Sequence, residues 1–379
     1  MTLEQVALRS TPNTLRRVKA LLIVGPQPPP MGGATLTVQI LLEELAGYDS
    51  VEAALVDTRL PTNYRKKKSL FELQTIRRAF FIIKQYLNKI GNSDATLVFA
   101  NNTFILTLAP LLFLLARWHH KPFYLKPVGG DLDLYVMAQA KPLRHYLLYV
   151  LRALDGILPQ TRQLEVALNQ FGCTNTRHIP GCRPNLQISR SLSSNSETLH
   201  LIFLSQIKPE KGVQVLLDAL RLLTDYGVKV TCDFYGPIYQ EYREAFFLQL
   251  ERLPNARYCG VVEAGAAPQI MAQYDVLVLP TYFVSEGHPG VIIEAMQVGL
   301  PIITTQHRAI PELVTHGENG LLVPIQNSRA LADAIRHLAL TPLLKAQMSQ
   351  ASYRKGQAFQ ASVIVPQILN FVFHEGCQK

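Results

Sequence analysis

The sequence has little from which to build a zinc site, a disulfide framework or a membrane span. Its five cysteines, Cys173, Cys182, Cys232, Cys259 and Cys377, are scattered through 379 residues. No C-x-x-C pair or Cys/His cluster occurs, which fits a reducing compartment. The opening stretch MTLEQVALRSTPNTLRR is polar and then basic, and lacks the apolar core of a secretory signal. The longest apolar run, Phe104–Ala116, contains Pro110 and falls short of the roughly 20 residues that cross a bilayer. It reads as a buried helix. Acidic residues are scarce in the first half. Residues 1–190 hold 23 Lys+Arg and 12 Asp+Glu, a net of +11, whereas residues 191–379 hold 14 and 16, a net of −2. A basic first half points to an anionic partner, with a membrane surface, a pyrophosphate-linked acceptor or nucleic acid as candidates.

What is present is enough apolar residue, 48%, for two packed domains. Short apolar strands alternate with stretches of helical length. Strands are expected at Lys19–Val24, Val51–Asp57, Ala95–Ala100, Pro122–Lys126, Gly156–Pro159 and Arg177–Pro180. A second set is expected at Leu199–Leu204, Lys229–Tyr235, Arg257–Val262, Asp275–Pro280, Pro301–Thr305 and Leu321–Pro324. Such alternation predicts an α/β fold of two doubly wound, Rossmann-like domains facing across a cleft. The Ser-rich segment Ser189–Thr198 reads as the linker. The expected division is residues 1–188 as an acceptor-binding domain and 189–355 as a nucleotide-sugar-binding domain. Residues 356–379 are expected to form a C-terminal helix that crosses back to the first domain.

Two loops have the composition of anion sites. The first follows the first strand and runs through Gly32 and Gly33 into a helix. Its glycines permit unusual backbone and close ligand approach, and helix N-termini favour anions. The spacing is not G-x-G-x-x-G. The second loop follows Asp275–Pro280 and reads TYFVSEGHPG, then VIIEAM. Gly287 and Gly290 place free amides before a helix, and Glu294 is expected in its first turn, able to accept hydrogen bonds from vicinal sugar hydroxyls. A third feature is the basic run Arg65–Lys68, followed by a capping box of Ser69 and Glu72. An apolar stripe of Leu73, Ile76, Phe80, Ile83, Leu87 and Ile90 is then expected to pack on the sheet, with Arg77, Arg78, Lys84 and Lys89 on other faces.

The segments EGHPGVIIEAMQVGLPIITT and PELVTHGENGLLVP, with FLSQIKPEKG, FYGP and YCGVV upstream, resemble family 4 of the glycosyltransferases. That family is retaining and has the GT-B fold. The resemblance rests on an E-x7-E motif, Glu286 to Glu294, and on a second block from Pro311-Glu312 to Val323. It implies that Glu294 holds the nucleotide ribose. Glu286, Gly287, His288, Gly290 and Val291 would face the donor sugar and diphosphate. Lys211 would pair with the diphosphate, Val261 would meet the base, and Gly32 and Gly33 would close over the phosphates. Three departures stand out. Gln206 occupies a place where family members carry Arg, with Lys208 nearby to supply charge. Val128 stands where a His is usual, leaving Asp131 as the candidate sugar contact. His288 stands where other side chains are common.

The resemblance implies front-face transfer from a nucleotide-sugar donor to a saccharide or lipid-linked acceptor. Neither metal nor cofactor is expected, nor is nucleic acid. The setting implied is bacterial capsule, O-antigen or exopolysaccharide synthesis, in the cytoplasm or at the inner face of the membrane. A sugar-nucleotide epimerase of the same fold and a non-catalytic nucleotide-sugar-binding partner are the alternatives.

Overall fold

The computed structural model describes residues 17–29, 32–59, 73–186, 188, 197–263 and 265–375. The Arg65–Lys68 run, its capping box and most of the Ser-rich linker lie outside the described residues. Two all-parallel sheets form the framework. The first contains β1 (Lys19–Gly25), β2 (Val51–Asp57), β3 (Ala95–Ala100), β4 (Phe123–Pro127) and β5 (Gly156–Ile157), in the order β2-β1-β3-β4-β5. The second contains β6 (Leu199–Leu204), β7 (Val230–Tyr235), β8 (Ala256–Tyr258), β9 (Val276–Leu279), β10 (Ile302–Thr305) and β11 (Gly320–Val323), in the order β11-β10-β9-β6-β7-β8. Helices cover both faces, so the central strands are apolar without alternation. β3 (ATLVFA) and β9 (VLVL) are buried along their whole length.

The strand order places each sheet's reversal point. Successive strands run outward from β1 to β2 on one side and from β3 on the other. In the second sheet β6, β7 and β8 run one way, and β9, β10 and β11 the other. Loops leaving adjacent strands in opposite directions open a crevice at the carboxyl ends, where ligands bind in such sheets. The loop after β1 carries Gly32 and Gly33. The loops after β6 and β9 carry Gln206–Lys211 and Thr281–Pro289.

Three local expectations need correction. Residues 177–180 are not a strand. Thr176 makes an isolated bridge to Ile157, and Ile179 donates to Pro159 O, but Pro180 has no N–H to extend a ladder. β8 stops at Tyr258 because Gly260, at φ 91°, turns the chain away. The run Phe104–Ala116 is not one buried helix. It divides into helices Asn102–Thr107 and Ala109–Trp118. Pro110 cannot donate the bond that would join them. Leu112, Phe113 and Ala116 are buried, but Leu111, Leu114 and Trp118 are exposed.

The helix Leu73–Ile90 forms as its periodicity suggests, but of the expected stripe only Ile83 and Ile90 pack on the core. Ile82, Tyr86 and Ile90 face the sheet, and Tyr86 Oη lies 3.1 Å from Thr96 Oγ1. Ile76, Phe80, Phe81 and Leu87 face outward. Burying Ile82, Tyr86 and Ile90 leaves the opposite apolar face uncovered.

The chain passes between the domains twice. The helix Pro342–Gly356 packs on the helix Gly290–Gln297 of the second domain. The next helix, Ala361–Asn370, buries Ile364, Val365 and Ile368 in the first domain with Leu21, Ile23, Val38 and Leu41. At the crossing, Arg183 N donates to Phe359 O (2.9 Å) and Ala361 N to Arg183 O (2.9 Å). The outgoing and returning strands are therefore hydrogen-bonded to each other.

Candidate functional site

The two crevices face each other and enclose one cleft of about 600 Å3. From the first domain it is lined by Gly32, Gly33, Lys126, Val128 and Arg183; from the second by Gln206, Lys208, Lys211, Val261, Glu286 through Val291, and Glu294. Every candidate residue named above except Asp131 lies on this wall. Residues as distant in sequence as Gly32 and Glu294 thus share one cavity.

Lys211 ends a short turn, Pro209–Lys211, whose exit Gly212 has φ 79°. A side chain at Gly212 would meet Pro280 O at 2.0 Å, so glycine both permits the left-handed turn and presses it against the end of β9. This fixes Lys211 beside the second loop. Its Nζ lies 2.6 Å from Glu286 Oε2, which also accepts from Thr281 Oγ1 at 2.8 Å. Both Lys211 and Lys208 approach the ring of Phe283, at 4.8 and 3.8 Å from its centroid, a favourable placement for a cation. Burial, and then the Lys211 charge, lower the Lys208 ammonium below its ordinary value.

Glu294 lies one turn deeper than expected. The helix begins at Gly290, which puts Glu294 in its second turn. Its Oε1 accepts from Arg183 Nε at 2.8 Å. Burial pushes its carboxyl above the ordinary range, and Arg183 pulls it partly back. Gly32 and Gly33 also differ from expectation. Gly32 is extended at φ −168°, and neither glycine is left-handed. A Cβ on Gly33 would meet nothing within 4 Å. What these glycines provide is open space above a helix N-terminus, not an unusual backbone.

His288 lines the cleft, but its ring is packed between His178 and Phe359, with Nε2 3.1 Å from Glu312 Oε2. Glu312 in turn accepts Arg162 N and Gln163 N, at 2.8 and 2.9 Å, across the domain boundary. These bonds, with the His288 contact, outweigh burial and hold Glu312 below its ordinary value. His288 and Glu312 therefore form a tie between domains. Asp131 is another tie. Its carboxylate accepts from Asn102 Nδ2 (3.1 Å) and Ser285 Oγ (2.6 Å). Gly130 N donates to Ser285 O at 3.1 Å beside it.

The charges on the wall do not cancel. Lys126, Arg183, Lys208 and Lys211 face only two carboxylates, Glu286 and Glu294. Lys126 is buried and donates to Ile179 O at 2.6 Å. Burial lowers its ammonium to about 8, and the nearby Cys182 offsets this only in part. Above that pH the cleft loses one cation. The net charge near neutrality is positive, which favours an anionic ligand.

Comparison with known proteins agrees with this fold. Among solved structures, Anabaena Alr3699/HepE in complex with UDP superposes with a TM-score of 0.72 at 19% identity, covering 93% of this chain and 99% of that one. Sucrose-phosphate synthase from Thermosynechococcus elongatus gives 0.72 at 21%, covering 93% and 97%. The fold is GT-B. Residues 198–340 match the family described as glycosyl transferases group 1. Curated relatives align with parts of the chain. The putative colanic acid biosynthesis glycosyltransferase WcaL of Escherichia coli K12 is 28% identical over 45% of this chain and 41% of its own length. The amylovoran biosynthesis glycosyltransferase AmsK of Erwinia amylovora is 26% identical over 48% and 47%. The alignments thus span about half the length of these relatives.

Within this GT-B framework, two features escaped sequence reasoning. Arg183 makes its ion pair across 111 positions, a separation at which no local pattern signals a partner. The other is Asp131-Leu132-Asp133, a D-x-D tripeptide that the expectation of metal independence overlooked, so that expectation draws no support from a missing motif. Asp131 holds Asn102 and Ser285, and Asp133 holds Arg308 at 2.8 Å. Both carboxylates thus join the domains. Among the described residues no group of three metal-ligating side chains occurs.

Proposed function

We propose that this chain is a retaining, metal-independent glycosyltransferase that uses a nucleotide-sugar donor in bacterial exopolysaccharide assembly. The observation that carries the reading is the cation-rich cleft, closed from one side by Gly32 and Gly33 and from the other by the Glu286–Val291 loop. The HepE structures hold UDP and UDP-glucose, which supports a nucleoside-diphosphate sugar as the donor here. WcaL and AmsK are named for exopolysaccharide biosynthesis, which supports the pathway.

In this reading the bond between the anomeric carbon and the diphosphate oxygen breaks, and the acceptor hydroxyl oxygen bonds to the same face. The hydroxyl proton passes to the departing phosphate. A covalent carboxylate intermediate needs a free carboxylate beside the anomeric carbon. Glu286 is paired with Lys211, and Glu294 with Arg183. Both are better suited to binding than to attack. Positioning and the cationic wall then supply the catalysis.

The test is a thermal-shift panel of UDP-, GDP-, ADP- and dTDP-sugars. A donor that binds only the folded state must raise the melting temperature, and the same donor should then label a lipid-linked saccharide. No shift with any donor would overturn the reading.

The acceptor side of the proposal is an anionic membrane surface carrying a lipid-linked saccharide. Phe80, Phe81 and Leu87 on one helix, with Leu114 and Trp118 on the helix packed beside it, form an exposed apolar area. Arg77, Lys84 and Arg117 are exposed on these same helices. Apolar side chains with flanking cations suit the headgroup region, where each basic residue contributes about 1 kcal/mol. No helix among the described residues is long and apolar enough to cross a membrane. Phosphatidylglycerol vesicles are expected to retain the protein at low salt, and F80S/W118S should release it. Equal sedimentation of the variant would remove this surface from the proposal.

A further inference from the structure

The cleft holds a cation that no motif announced. Arg183 lies at the domain crossing, its backbone clamped on both sides by the returning chain. It is buried at 4% exposure yet lines the cleft. Its Nε donates to Glu294 at 2.8 Å and its Nη1 to Cys182 O at 2.9 Å. Among the described residues, Nη2 has no hydrogen-bond acceptor.

Gly290 shows where Nη2 is. A Cβ at that position would fall 1.4 Å from Nη2. Gly290 is not left-handed, so its backbone does not demand glycine. The missing side chain makes room for the guanidinium against the first residue of the Gly290–Gln297 helix. Helix N-termini carry positive partial charge, so a cation there is misplaced unless an anion joins it. Glu294 meets one edge of the guanidinium. The Nη2 edge and the helix amides remain, and together they match two oxygens of a phosphate.

We propose that Arg183 is a phosphate-binding residue of this cleft, donating from Nη2 to the donor's diphosphate beside the Gly290 amide. This rests on the nucleotide-sugar reading above and extends it. It also answers the neutral Gln206: the guanidinium reaches the phosphates from the domain crossing instead of from the loop after β6.

The test is a titration series of nucleoside, nucleoside monophosphate and nucleoside diphosphate, with the base chosen by the thermal-shift panel. Wild type, Arg183→Ala, Arg183→Lys and Gly290→Ala are compared by calorimetry or competition. Loss of a charge-assisted hydrogen bond should weaken diphosphate binding by about tenfold or more. Nucleoside binding should change far less. Gly290→Ala keeps the charge but expels the guanidinium, and should show the same phosphate-selective loss. It also serves if Arg183→Ala does not fold. An equal loss for nucleoside and diphosphate would mean that Arg183 only orients Glu294, and the proposal falls. Failure of wild type to bind any diphosphate would instead overturn the functional reading itself.

Discussion

Lys211→Ala is expected to lower sugar transfer by about 100- to 1,000-fold, the effect of removing one aimed electrostatic group from a closed site. Lys211 is the cation nearest Glu286, at 2.6 Å, and the turn closed by Gly212 holds it there. Removing it has two consequences. The leaving diphosphate loses a charge partner, and Glu286 loses its ion-pair partner, leaving Thr281 as its hydrogen-bond donor. The carboxylate's side chain is 8% exposed, so the unpaired charge repels the incoming diphosphate as well. Turnover and apparent donor affinity should both fall, while far-ultraviolet circular dichroism stays unchanged. Lys211→Arg should recover part of the donor affinity, since it restores the charge with a different shape. Wild-type turnover in a folded Lys211→Ala protein would show that the diphosphate lies elsewhere.

The second large effect is expected at a residue with no chemistry of its own. A methyl group on Gly130 would sit 2.3 Å from Glu286 O and 2.6 Å from Gly287 Cα. Gly130 is not left-handed, so alanine does not strain the first domain by itself. The collision occurs only when the two domains close. Gly130→Ala should therefore leave each domain folded but force the Ser285–Gly287 loop away from Asp131. A misplacement near 1 Å costs about 100-fold in rate, and that is the loss expected here. Small-angle scattering should report a larger radius of gyration with donor bound. Normal activity with an unchanged radius would show that this contact is not made during turnover.

The sheets were legible because their central strands are buried on both faces and read as unbroken apolar runs, and the edge strands lie at the regular spacing between helices. β2 and β3 match their expected bounds residue for residue. Boundaries failed where a single residue decides them, Pro180 through its missing N–H and Gly260 through its left-handed φ. The outward apolar face of the Leu73–Ile90 helix was missed because the helix carries more apolar residues than one face can bury. Ile82 and Tyr86, outside the expected stripe, take the sheet side together with Ile90. The loops of the site were legible because glycine, glutamate and lysine cluster there over short spans. What they bond to was not. Lys211 with Glu286, Glu294 with Arg183, and Asp131 with Ser285 are pairs set by the meeting of domains, and no spacing within one segment encodes that meeting.

The paired strands at Arg183 and Gln360 also limit how this molecule can open. One covalent tether would let the halves tilt and twist freely. Two tethers laid side by side and bonded to each other behave as a door hinge, with a single axis of swing. Points travel in proportion to their distance from that axis. Glu294, bonded to Arg183 at the pivot, keeps its place while remoter parts of the wall swing. Substrates would therefore enter and leave at the outer lip, while the floor of the pocket stays assembled between turnovers.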